Sequence, residues 1–81
     1  MLVTIRLFAR LREIAGTGEI RRELPEPATA ATAWASLAQE FPALAPFERT
    51  VSCAVNEEYA RFTSALADGD EVAFLPPVSG G

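Results

Sequence analysis

The residues best suited to covalent chemistry are the last six, Pro76-Pro77-Val78-Ser79-Gly80-Gly81. Two adjacent prolines fix φ, remove two backbone donors and bias each preceding residue toward extended geometry, so they stop a strand and stiffen the root of the tail. Gly80 and Gly81 have no side chains and reach backbone angles closed to other residues, so they fit a channel that a bulkier residue would block. A tail with a stiff root and a slender tip is suited to carrying its own terminal carboxylate into another protein's active site. A frayed chain end is the competing reading of the same residues.

Other reactive groups are few. Cys53 is the single cysteine and there is no histidine, so an internal disulfide, the usual zinc sites and a Cys/His catalytic pair are all out of reach. Cys53 alternates with Val51 and Val55 and reads as a small buried hydrophobe. Asp68, Asp70 and Glu71 are close enough together to suggest a metal, yet they lack the spacing of a calcium loop and read more simply as a solvated turn. No metal ligand is predicted.

Composition bounds what these groups can do. Eighty-one residues make one domain, with a folded body over residues 1–75 and a flexible diglycine tail over 76–81. Such a body is too small to house an elaborate active site, so the function is expected to be shared with a partner. The chain is 49% hydrophobic and 22% charged, which places it among folded globular domains. Seven basic residues are scattered and the net charge is −4, which gives no footprint for nucleic acid and points to a protein partner with a basic surface. No run is long or apolar enough for a membrane span, and Met1 to Arg6 interleaves polar groups where a signal peptide would be unbroken. The cytoplasm is the expected compartment.

The elements that must position the tail are read from periodicity. Leu2 to Phe8 alternates, with Val3, Ile5 and Leu7 on one face and Thr4, Arg6 and Phe8 on the other, as in a half-buried strand. Leu11, Ile14 and Ala15 share a face of a short helical turn over Ala9 to Ala15 that Gly16 stops. Gly16-Thr17-Gly18 reverses the chain into a second strand, where Ile20, Arg22 and Leu24 alternate with Arg21 and Glu23 until Pro25 and Pro27 close it. Thr29 is the N-cap of the main helix, whose stripe is Ala30, Ala33, Trp34, Leu37, Ala38 and Phe41. Trp34 is explained by that stripe as core packing. Pro42 ends the helix, and residues 43–49 read as a loop with at most one turn. Val51 to Val55 is a third strand, Asn56-Glu57-Glu58 a turn, and Tyr59 to Phe62 a short strand. Asp68-Gly69-Asp70 turns the chain into a final strand with Val72 and Phe74 on one face and Ala73 and Leu75 on the other. This order is α+β, with one main helix across a mixed sheet and the first and last strands adjacent at its centre, a β-grasp or ubiquitin-like arrangement, although other small α+β folds share the same order of elements.

Three segments carry a resemblance: Phe8-Ala9-Arg10-Leu11-Arg12-Glu13, Ala54-Val55-Asn56, and the run from Asp68 through Pro76-Pro77-Val78-Ser79-Gly80-Gly81. Together they resemble the small subunit of molybdopterin synthase, a ubiquitin-like sulfur carrier, with the C-terminal segment as the specific part and the main helix only generically similar. The resemblance implies that an E1-like adenylyltransferase uses ATP and Mg2+ to convert Gly81 to an acyl-adenylate, after which sulfur replaces AMP to give a thiocarboxylate. It also implies that the large synthase subunit holds the Gly81 thiocarboxylate against a cyclic pyranopterin precursor, where two transfers build the dithiolene. Catalytic groups are then expected on the large subunit of a heterotetramer, and this chain itself would bind no cofactor.

Under that resemblance Phe8, Tyr59 and Leu75 acquire a partner-binding reading, together with the tail residues Pro76, Pro77, Val78 and Ser79, and Gly80 joins Gly81 at the reacting end. Scattered surface hydrophobes are the alternative for the first three. Three rival functions stay open: sulfur delivery to a thiamine precursor or to transfer RNA, a ubiquitin-like modifier joined to lysines through Gly81, and an interaction module with an inert tail.

Overall fold

The structure is a computed structural model, and it describes residues 1–77. Five strands form one mixed sheet: β1 (Leu2–Leu7), β2 (Glu19–Glu23), β4 (Ser52–Val55), β5 (Glu58–Ala60) and β7 (Glu71–Leu75). Their order across the sheet is β2-β1-β7-β4-β5. β1 runs antiparallel to β2 and parallel to β7, so the first and last strands are neighbours as the β-grasp reading requires. β4 pairs antiparallel with β7 on one side and with β5 on the other. β7 therefore lies at the centre of the sheet, and the tail leaves from a strand held on both sides.

The alternation along β1 and β7 decides which face is buried. Val3, Ile5, Leu7, Val72 and Phe74 are all sealed from solvent on one face. Against them lies α2 (Ala30–Glu40), which buries Ala30, Ala33, Trp34 and Leu37 at the i, i+3, i+4, i+7 spacing of one helical stripe. Trp34 meets Phe74 edge-on, with ring centroids 5.1 Å apart, and both rings contact Phe62. Thr29 caps α2: its hydroxyl accepts from the Thr32 N–H at 3.4 Å, and the Thr32 hydroxyl accepts from the Thr29 N–H at 3.0 Å. Two further N-terminal donors of α2, Ala30 and Ala31, are taken up by the carbonyls of Ser64 and Phe62. α1 (Ala9–Ala15) adds Leu11 to the core and ends at Gly16, which takes the left-handed conformation with φ 78°.

The structure corrects the sequence reading in three places. Residues 42–47 form a 3-10 helix (Pro42–Phe47) where a loop was expected. Pro42 sits at its start, where no N–H is needed, and the fully buried Leu44 anchors it to the core. The strand expected over Tyr59 to Phe62 is β5, Glu58–Ala60, because Phe62 turns inward to the aromatic cluster and its carbonyl caps α2. Two short strands, β3 (Ala28–Thr29) and β6 (Ala65–Leu66), pair antiparallel in a separate ribbon that the sequence reading lacks. Two-residue strands are too short to show a period.

Candidate functional site

The sheet face turned away from α2 is open, and register builds it. Arg6 in β1 pairs with Ala73 in β7, Ala73 with Ala54 in β4, and Ala54 with Tyr59 in β5. One row of side chains thus crosses four strands with two alanines in the middle and longer residues at both ends. The small pair forms a floor. Phe8 and Arg6 on one side and Tyr59 on the other rise around it, and Leu75 closes the end nearest the tail, giving a shallow concavity of about 360 Å3. Phe8 is 38% exposed and Tyr59 82% exposed, the latter well beyond what core packing would leave.

The three residues singled out for partner binding, Phe8, Tyr59 and Leu75, therefore meet in one depression, although 67 positions separate Phe8 from Leu75. Pro76 and Pro77 follow Leu75 directly, so the tail starts at the rim of this face. Val78, Ser79, Gly80 and Gly81 lie outside the described residues. Ala54, Ala73, Arg6 and Glu71 also line the concavity and were not singled out for partner binding in the sequence. The signal was available, since each stands at the outward position of an alternating strand, but small and charged residues at such positions look like ordinary solvent-facing filler.

Electrostatics frame the apolar floor. Arg6 lies 3.8 Å from Glu71 and 4.0 Å from Glu19, and its guanidinium sits 5.7 Å from the centre of the Phe8 ring, within cation–π range. These contacts hold Phe8 and Arg6 as one wall.

The remaining candidate groups fall elsewhere. Cys53 is buried on the helix-facing side, where its Sγ donates to the Ala60 carbonyl at 3.4 Å and burial pushes its thiol up, away from a reactive thiolate. Asp68 and Asp70 spend their carboxylate oxygens on the turn. Asp68 accepts the Leu2 N–H at 2.7 Å, and Asp70 accepts the Asn56 amide at 3.0 Å and the Ala67 N–H at 2.8 Å. The Asn56 bond first, and then the Ala67 bond, hold the Asp70 carboxyl below the usual range. These carboxylates fix the entry to β7 and so the strand that carries the tail.

A β-grasp body with an open apolar sheet face and a C-terminal strand delivered to its rim defines the class of ubiquitin-like carriers. The chain belongs to the ThiS family, whose profile matches residues 5–81, and within it to the group of molybdopterin synthase sulfur carrier subunits. The molybdopterin synthase sulfur carrier subunit of Chlamydomonas reinhardtii is 41% identical over 83 residues, spanning all of both chains. The small archaeal modifier protein 1 of Haloferax volcanii has the same fold at a TM-score of 0.85 and 34% identity, again over all of both chains. A chain from the complex of subunits 1 and 2 of the molybdopterin-converting factor of Helicobacter pylori shares the fold at a TM-score of 0.69, covers all of both chains, and is 23% identical. Among the described residues no helix is long and apolar enough to cross a membrane.

Proposed function

We propose that this chain is the sulfur-carrying subunit of a molybdopterin synthase, donating sulfur from Gly81 while a larger partner subunit supplies the acid and base groups. The observation that carries this reading is the full-length relatedness to proteins of that name. The open face at the tail root supports it, because it gives a partner a place to grip where the tail begins.

The chemistry is dictated by what a carboxylate lacks. It is a poor electrophile, so Gly81 is first activated by an E1-like enzyme: its carboxylate displaces pyrophosphate from ATP, and sulfur then displaces AMP from the acyl-adenylate. The thiocarboxylate sulfur is the nucleophile toward the cyclic pyranopterin precursor; water then cleaves the acyl–sulfur bond, leaving sulfur on the pterin and a carboxylate at Gly81, and two rounds complete the dithiolene. Positioning is what the carrier contributes, since a docked body and a threaded tail replace a dilute encounter by a fixed one. The activating enzyme and the synthase subunit both need the same face and the same tail, so they bind in turn. The cytoplasm, where both reactions would run, is the proposed compartment, and a heterotetramer of two carriers and two large subunits the proposed assembly.

The test is to supply Gly81-thiocarboxylated chain to the large subunit with precursor and, separately, to thiamine and transfer RNA thiolation systems. Dithiolene formation confined to the first, and lost on deletion of Gly81, is the expected result. Sulfur delivered only to a thiamine precursor or to transfer RNA would overturn it. A second reading, a modifier joined to lysines, is favoured by the similarity to the archaeal modifier protein; Gly81-dependent adducts of higher mass in lysate would support it.

A further inference from the structure

Beside the open face lies a second recess, lined by Arg6, Phe8, Arg12, Thr17, Gly18 and Glu19 where β1 passes into α1 and β2 returns beside it. Most of its polar groups are already committed. The Thr17 hydroxyl donates to the Glu19 carbonyl at 3.1 Å and accepts the Glu19 N–H at 3.3 Å. Arg6 is shared between Glu19 and Glu71. Arg12, in contrast, has no ion pair among the described residues.

Arg12 is also placed. A Cβ at Gly18 would stand 3.3 Å from both Cδ and Nε of Arg12, so the guanidinium end lies across the bare backbone of Gly18. Gly16 and Gly69 need glycine for their φ values of 78° and 90°, whereas Gly18 is not in that region. What glycine supplies at position 18 is room for Arg12.

We propose that this recess receives a carboxylate, an Asp or Glu side chain of the protein docked on the open sheet face, with Arg12 as its counter-ion. The proposal rests on the docking reading above and adds to it the sign and position of a contact. A guanidinium laid on a flat backbone presents a planar fork suited to a bidentate carboxylate. The recess shares Phe8 and Arg6 with the apolar concavity, so a partner covering one reaches the other. Glu57 and Glu71 also line that concavity, and Glu71 is the one already paired with Arg6. Among the described residues Arg12 is thus the unpaired cation at the α1 edge of an otherwise apolar floor, and a partner that sets a carboxylate against it docks in one orientation. A free dianion is the poorer occupant. Two guanidiniums and one carboxylate leave a single net positive charge on a chain of net charge −4, and only a carboxylate already held by a docked partner gains from effective concentration.

Calorimetric titration of the full chain with its large subunit tests this, using Arg12→Glu, Arg12→Lys, Gly18→Ala and Phe8→Asp, each checked for folding by circular dichroism. Arg12→Glu is expected to weaken the complex by about tenfold or more, Arg12→Lys by less, and Gly18→Ala by an intermediate factor because it moves Arg12 without removing its charge. Wild-type affinity for folded Arg12→Glu beside weakened binding for Phe8→Asp overturns the carboxylate recess and leaves the docking face standing. Wild-type affinity for both overturns the docking reading as well. If millimolar inorganic phosphate shifts the Thr17 and Gly18 amide resonances in an Arg12-dependent way while Arg12→Glu binds normally, the recess is a small-anion site and the proposal fails.

Discussion

The two faces of the sheet are made by alternate residues of the same strands, and they do opposite work. On the helix side Val3, Ile5, Leu7, Val72 and Phe74 are all buried and the side chains interlock with α2. On the other side Arg6, Phe8, Ala54, Tyr59, Ala73 and Leu75 enclose a depression that none of the described residues fills. A period of two puts the buried core on one set of positions and the open face, proposed above as the docking surface, on the other. On that proposal a carrier this small separates folding from binding by parity along the strand. Adjacent substitutions in β7 should then fail in different ways.

Phe74→Ala is expected to have the largest effect. It removes a fully buried ring from the Trp34 and Phe62 cluster, and loss of about 3–5 kcal/mol in chemical denaturation is predicted. A loss that large is comparable to the whole stability of a small domain. Its neighbour on the opposite face, Leu75→Asp, is expected to unfold at nearly the wild-type denaturant concentration, as is Phe8→Asp, yet both should weaken binding to the large subunit and to the activating enzyme. Wild-type affinity for both partners would show that the open face is bare surface.

The smallest effect concerns how the tail-bearing strand is held. The Asp70 carboxyl lies below its ordinary value in the folded chain, so its contribution is present above the ordinary aspartate value of about 3.9 and is lost as pH falls through the lower folded value. Thermal unfolding of wild type and Asp70→Asn should therefore differ modestly at neutral pH and converge in acid. A difference independent of pH would show that the charge at Asp70 is not what secures the turn before β7.

Much of this was legible in the sequence, and the reasons differ by element. The long alternations of β1 and β7 and the stripe from Ala30 to Leu37 each repeat often enough to fix a period, and Thr29 and Gly16 mark helix ends by their own chemistry. The ribbon of β3 and β6 has no period to read, and Phe62 follows the core instead of its own strand. The three large apolar residues of the open face, Phe8, Tyr59 and Leu75, announced themselves as hydrophobes on polar faces. Ala54 and Ala73 did not, because a floor is made by what side chains lack, and only register shows two alanines side by side across strands. Arg12 stayed silent for a similar reason: its place over Gly18 comes from the return of β2 beside α1.

The central claim is that Gly81 carries sulfur, and one measurement addresses it directly: the intact mass of the chain after incubation with an E1-like activating enzyme, ATP and a sulfur donor. Replacement of one oxygen by sulfur is expected, located at Gly81 by fragmentation and absent when ATP is withheld. An unchanged mass in the presence of a demonstrably competent activating enzyme would contradict it.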